Sequence, residues 1–183
     1  MFKSFIIALI VFLFLVIGCK KKTTIPSDNS MLNSFNLHEA TFEKLKDISF
    51  KYNDFHYPPY DEMDSVISAI LPEDEKQLDS LLQELKVSRI ISSDSTEVRL
   101  LLHTWGVSIS GGYKEYVYSS KLADQLKQYN EECIQNPNLE KFLVSRITQE
   151  NLDQVAQRYS TNLEIYRPIK GFFTYISVER IDF

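Results

Sequence analysis

Cysteine is almost missing from this chain of 183 residues: Cys19 and Cys133 are the only two. A disulfide framework is therefore excluded, and stability has to come from an apolar core. Histidine is as scarce. His38, His56 and His103 are the only three, and no two stand four apart, the spacing that lets one helix face hold zinc. Glycine numbers five, and Gly111-Gly112 is followed by neither a helix start nor a Lys-Ser/Thr pair, so no phosphate loop is present. Basic residues are outnumbered, 20 Lys and Arg against 25 Asp and Glu, which argues against a nucleic-acid partner. No apolar run reaches the roughly 20 residues that a spanning helix needs.

What is present begins at the N-terminus. Lys3 precedes an unbroken apolar run from Phe5 to Ile17, the layout of a secretory signal. Val16-Ile17-Gly18-Cys19 then resembles the lipobox of bacterial lipoproteins. The resemblance implies cleavage before Cys19 and acylation of its thiol and amino group. Gly18 is small enough to admit the peptidase, and the thiol carries the lipid. An uncleaved anchor is the alternative; both readings hold the following domain on a membrane, outside the cytoplasm. In that family Asp after the cysteine retains the protein at the inner membrane. Lys20 stands there, so the outer membrane is expected where the organism has one. Several acyl chains, at about 0.8 kcal/mol per buried CH₂, make such an anchor effectively permanent.

The organisation expected is a signal peptide at 1–18, a lipid anchor and tether at 19–36, and one α+β domain at 37–183. Residues 20 to 36 are polar and aperiodic, with a flexible reach of roughly 20–25 Å. Asn36 and Glu39 have the spacing of a capping box opening a helix to about Tyr52. Asn53 to Tyr60 holds paired prolines and reads as a loop. Asp61 opens a short helix, and Pro72 opens another with Glu73, Asp74 and Glu75 in its first turn. Leu78, Leu81, Leu82 and Leu85 follow the strongest helical spacing in the chain.

The period changes from helical to alternating near Val87. Ser88–Ser92 and Thr96–Ile109 read as strands, with a bulge at Gly106. Ser110-Gly111-Gly112-Tyr113 reads as a two-glycine turn, and the strand returns through Lys114-Glu-Tyr-Val-Tyr-Ser119. Helices are expected over 121–135, 138–147 and from Thr148 through Tyr159. A second hairpin follows around Pro168-Ile-Lys-Gly171. The class is α+β: an antiparallel sheet of about five strands in two hairpins, with helices before and between them. Leu85 to Tyr118, with Tyr166-Arg-Pro-Ile-Lys-Gly-Phe172, resembles small bacterial proteins of unknown function. The resemblance implies that both hairpins share one sheet, and it brings no activity.

Two chemistries deserve a test against spacing. Gly106-Val-Ser108-Ile-Ser110 lacks the last glycine of a nucleophile elbow, leaving His103 with Ser108 or Ser110 as a candidate hydrolase pair. Asp54, His56, Asp61, Glu62 and Asp64 bring metal-binding residue types together, but helix capping explains Asp61 and Asp64. Cys133 lies on the apolar stripe of its helix, a small buried hydrophobe. The aromatic excess is the better lead. Trp105, Tyr113, Tyr116, Tyr118, Phe173 and Tyr175 all fall on the expected sheet, and period two divides Phe173 and Tyr175 from Phe172. Helices wrapping both faces would make these aromatics ordinary core; a sheet face left uncovered would show an aromatic surface to a protein or glycan partner. The expectation is a non-catalytic, lipid-anchored envelope protein of the binding, accessory or immunity type, with no cofactor. A hydrolase or a metal enzyme of the 54–64 loop is the competing expectation.

Overall fold

The computed structural model describes residues 25–52, 55–59, 70–93, 96–107, 110–141 and 143–180. The signal segment, Cys19, the helix expected from Asp61, and Asp54, Glu62, Asp64 and Ser108 lie outside those residues.

The first helix is one that composition concealed. Ser27 accepts a hydrogen bond from the Ser30 amide (3.2 Å) and caps α1, Asp28–Leu37. Met31 and Phe35, four apart, point inward from it. The segment expected as tether is thus helical and packed from Asp28 onward. Nor does Asn36 open the second helix. α1 bends at His38 into α2, Glu39–Ser49, without a side-chain cap, and Glu39 accepts instead from Lys170 (2.5 Å).

Part of the expected Asn53–Tyr60 loop is a short strand, β1, Phe55–Tyr57. α3, Pro72–Leu85, begins on the expected proline and acids, and buries Leu78, Leu81, Leu82 and Leu85. Lys86 in the left-handed region (φ 55°) ends it. β2 (Arg89–Ser93), β3 (Glu97–Val107) and β4 (Ser110–Ser119) form the expected meander. α4 (Leu122–Gln135) follows, then a 3-10 turn (Leu139–Lys141) and β5 (Leu143–Ile147). The helix expected over 138–147 is therefore corrected to a turn and a strand. α5 (Leu152–Ala156) is capped by Asn151 rather than Thr148. β6 (Asn162–Ile169) and β7 (Phe172–Arg180) close the chain as the second hairpin. Lys170 and Gly171, both at positive φ, make the turn that suits strand twist.

The seven strands of the described residues form one sheet in the order β1-β2-β3-β4-β7-β6-β5, two more than expected. Only β5 runs parallel to its neighbour, β6, with α5 as the crossover. The bulge falls between Leu101 and His103, not at Gly106.

One face of the sheet is thoroughly covered. α1, α2 and α3 pack Met31, Phe35, Phe42, Leu45 and Leu78 onto Ile90, Val98, Leu100, Tyr116 and Phe172. Phe42 meets Tyr116 edge-on at 4.5 Å and stacks on Phe35 at 4.7 Å. Beside them α5 packs Leu152 and Val155 onto Val144, Leu163, Ile165 and Ile176. The other face carries only α4 among the described helices, through Leu122 and Leu126 on Val117, Tyr166 and Tyr175. Leaving β1, β2 and β3 outside that cluster is what makes the two faces unequal.

The two glycines expected as a turn are strand residues: Gly111 pairs with Gly106, and Gly112 with Trp105. Space, not turning, requires Gly112. A Cβ there would lie 2.2 Å from the Ser177 carbonyl oxygen and 2.6 Å from the Trp105 ring. Gly112→Ala must displace backbone or indole, so it is expected to destabilise the fold by roughly 1–3 kcal/mol. Denaturant melts of the two proteins read this difference directly.

Candidate functional site

Two charged centres lie on opposite faces of the sheet. The first joins the start of α1 to α5 and three strands. Asp28 is fully buried; its carboxylate accepts from Arg167 Nη1 (2.6 Å), the Leu152 amide (3.1 Å) and the Thr174 hydroxyl (3.2 Å). Its own amide donates to Asp153 Oδ2 (2.8 Å). Asp153 also pairs with Lys114 Nζ, which donates to the Pro26 carbonyl (2.6 Å) as well. The Lys114 side chain is only 2% exposed. Two carboxylates balance two cations, and hydrogen bonds meet much of their remaining capacity, the condition under which buried ions are tolerated. Tyr116 adds a bond to the Met31 carbonyl (2.7 Å). This centre ties α1 and α5 to β4, β6 and β7.

The second centre lies on the α4 face. Arg99 Nε donates to Glu97 (2.7 Å) and its Nη1 to Glu115 (3.0 Å), while its guanidinium sits 5.3 Å from the centre of the Tyr175 ring. Tyr175 lies against Tyr166 (4.5 Å) and Tyr113 (5.6 Å). Two acids here share one guanidinium in a largely buried place. Burial pushes Glu115, 3% exposed, up to about 7; Arg99 opposes the shift and the neighbouring Glu97 adds to it. Glu97, Arg99, Leu101, Tyr113 and Phe173 remain half-exposed around this centre. By register, Ile91 and His56 continue the same face across β2 and β1.

The six aromatics do not make one surface. Pairing places Tyr116, Tyr118 and Trp105 on the face covered by α1, α2, α3 and α5, and Tyr113, Phe173 and Tyr175 on the α4 face. Tyr116 and Tyr175 are 1% and 0% exposed, as core residues are. Tyr113 and Phe173 keep the accessibility that a contact requires.

His103 pairs opposite Lys114 and lies parallel to Trp105, with 6.3 Å between ring centres. It stands four β4 residues from Ser110, roughly 13 Å at strand rise, too far for direct pairing of those two residues. Of the 54–64 set only His56 is described, half-buried on β1. No cluster of three metal-ligating residues occurs among the described residues. Cys133 is buried and unbridged. A cavity of about 280 Å³ opens between β5 and the end of α5, lined by Glu140, Val144, Arg146, Arg158, Tyr159, Ser160 and Thr161. Both its arginines are engaged, Arg146 with the Tyr159 hydroxyl and Arg158 with Glu150 (2.5 Å).

Sequence reasoning missed both charged centres. Asp28, Lys114, Asp153 and Arg167 look like surface charges in the sequence. The one available signal was on the strands: Lys114 and Glu115 interrupt strand β4, where both faces are otherwise apolar or aromatic.

The family described as Domain of unknown function (DUF4948) matches residues 24–181. No curated protein and no solved structure matches the chain.

Glu115 generates a pH dependence with a definite sign. Its folded pKa of about 7 exceeds the ordinary 4.5, so the folded state holds the proton more tightly than the unfolded one. The stability it contributes is complete below pH 4.5 and is lost as pH rises toward 7. Glu115→Gln, neutral and similar in shape, is expected to flatten stability between those values. Urea melts at a series of pH values measure it. The first centre gives a larger effect: Asp28→Ala strands Arg167 and is expected to cost roughly 3–5 kcal/mol, read by the same melts at one pH.

Proposed function

The chain belongs to that uncharacterised family, and we propose that it is a bacterial envelope lipoprotein, acylated at Cys19, that binds another protein without catalysis. The observation that carries the address is Val16-Ile17-Gly18-Cys19 following Lys3 and the apolar run to Ile17, as described for a lipoprotein signal. No helix among the described residues is long and apolar enough to cross a membrane; in this reading the acylated Cys19 makes the attachment. The outer membrane is its place where the organism has one, since Lys20 follows the cysteine.

Support for binding comes from the unequal sheet faces. Four helices cover one face, whereas α4 packs on Val117, Tyr166 and Tyr175 of the other. Beside it lie Leu101, Tyr113 and Phe173 with the Arg99–Glu97–Glu115 group. Aromatic and arginine side chains held rigid by their neighbours are the residue types that dominate protein interfaces. Their mixed charge suits a partner carrying both an apolar projection and a complementary pair of charges. No cofactor is needed for this task.

Feeding cells an alkyne-bearing fatty acid tests the address: label on the wild-type protein and none on Cys19→Ala is expected, and unlabelled wild type would overturn it. A photo-crosslinking side chain at Leu101 tests the surface. One discrete adduct is expected there, none from Gln83 on exposed α3 surface, and loss of the Leu101 adduct in Arg99→Glu. Equal crosslinking from both positions would contradict the assignment.

A further inference from the structure

We propose that the buried ion group at the start of α1 fixes the distance and orientation of the domain on the bilayer, and so presents the α4 face away from the membrane. The inference rests on acylation of Cys19 as proposed above. Its structural basis is that the tether ends earlier than the sequence suggests. The Pro26 carbonyl is held by Lys114 (2.6 Å), and the next residues, Ser27 and Asp28, are committed to the α1 cap and to Asp153 and Arg167. Only Lys20 to Ile25 lie between the lipidated residue and that clamp. Six residues span at most about 20 Å even when fully extended. A tether running to residue 36 is thereby shortened by about eleven residues, which draws the exit point of the chain closer to the lipid.

The clamp also decides which side faces the lipid. Lys114 pairs with Ile176 on the sheet face that carries α1 and α5. The chain therefore leaves the domain from that side, and the α4 face lies across the whole thickness of the sheet from it. Ile25, the last residue before the clamp, is 46% exposed, which suits an apolar side chain at the membrane interface. Lys20-Lys21-Lys22 follow Cys19 directly in the sequence and carry the charge that anionic headgroups attract. The partner of the α4 face must accordingly approach from the aqueous side, within one domain thickness of the bilayer.

Trp105 is the only tryptophan and lies on the face that carries the clamp, on the strand beside Lys114, so it serves as a built-in distance donor. Residues 19–183 with Cys133→Ala are coupled through the Cys19 thiol to a maleimide phospholipid in phosphatidylcholine vesicles. Dansyl-labelled headgroups act as acceptor. Inserting about twelve Gly and Ser residues between Lys22 and Thr23, roughly 20 Å of added reach, is expected to reduce energy transfer about twofold. Moving the donor to the α4 face, with Trp105→Phe and Leu101→Trp together, is expected to reduce transfer in the unextended protein. Equal transfer with and without the insertion, or equal transfer from the two donor positions, overturns the inference. The intact mass of the protein extracted from cell membranes separates the two ideas. An unmodified Cys19 overturns the lipoprotein reading and the inference with it, whereas equal transfer beside an acylated Cys19 overturns the inference alone.

Discussion

A buried carboxylate and a buried ammonium at the start of α1, Asp28 and Lys114, each paired with a partly exposed partner, are the constraint from which the rest of this structure follows. Buried charges are unstable unless every one is paired, and here the pairing is spread across distant parts of the chain. Asp28 reaches Arg167 on β6 and Thr174 on β7, while Lys114 on β4 reaches Pro26 and Asp153. The bonds made by Asp28 and Pro26 are lost if the chain before α2 is absent, which leaves Lys114 with Asp153 alone. The group therefore couples the first helix to the middle of the sheet, and α5 is set in place by the same carboxylates through Leu152 and Asp28.

With α1 fixed there, one face of the sheet fills with helices, and among the described helices the other carries α4 alone. The aromatic core of Phe35, Phe42, Tyr116 and Phe172 belongs to the filled side. Tight approach continues at Gly112, whose missing side chain admits Trp105 against β7. The α4 face depends on a different balance, in which Arg99 neutralises only one of two nearby acids. An unevenly charged, tyrosine-backed surface follows from that imbalance.

Much of this was legible in the sequence, and the omissions have physical causes. Leu78, Leu81, Leu82 and Leu85 announce α3 because a helix packed on one side shows its stripe directly. Both hairpins were readable from alternation, as was the division of Phe172 from Phe173 between faces. α1 escaped because its inward residues include Asp28, which no hydrophobic pattern registers; Ser27 with Met31 and Phe35 was the signal available. β5 escaped because Leu139, Leu143 and Ile147 repeat every four residues, as a helix does, while its pairing with β6 is parallel and non-local. Gly111-Gly112 mimicked a turn since sequence does not reveal a neighbouring strand's indole. The site suffered most. An ion pair is invisible until both partners are brought together, so the aromatics drew notice and the charges beneath them did not.

The central claim is that residues 25–37 are part of the folded unit and not a leash attached to it. Comparing the urea unfolding of a chain spanning 25–183 with one spanning 38–183 tests this most directly. The longer chain should unfold in a single cooperative transition, and the shorter should lose that transition, since Arg167 and Lys114 lose Asp28 and Pro26 and the core loses Met31 and Phe35 from over Tyr116 and Phe172. Equal midpoints and slopes for the two chains would contradict the account.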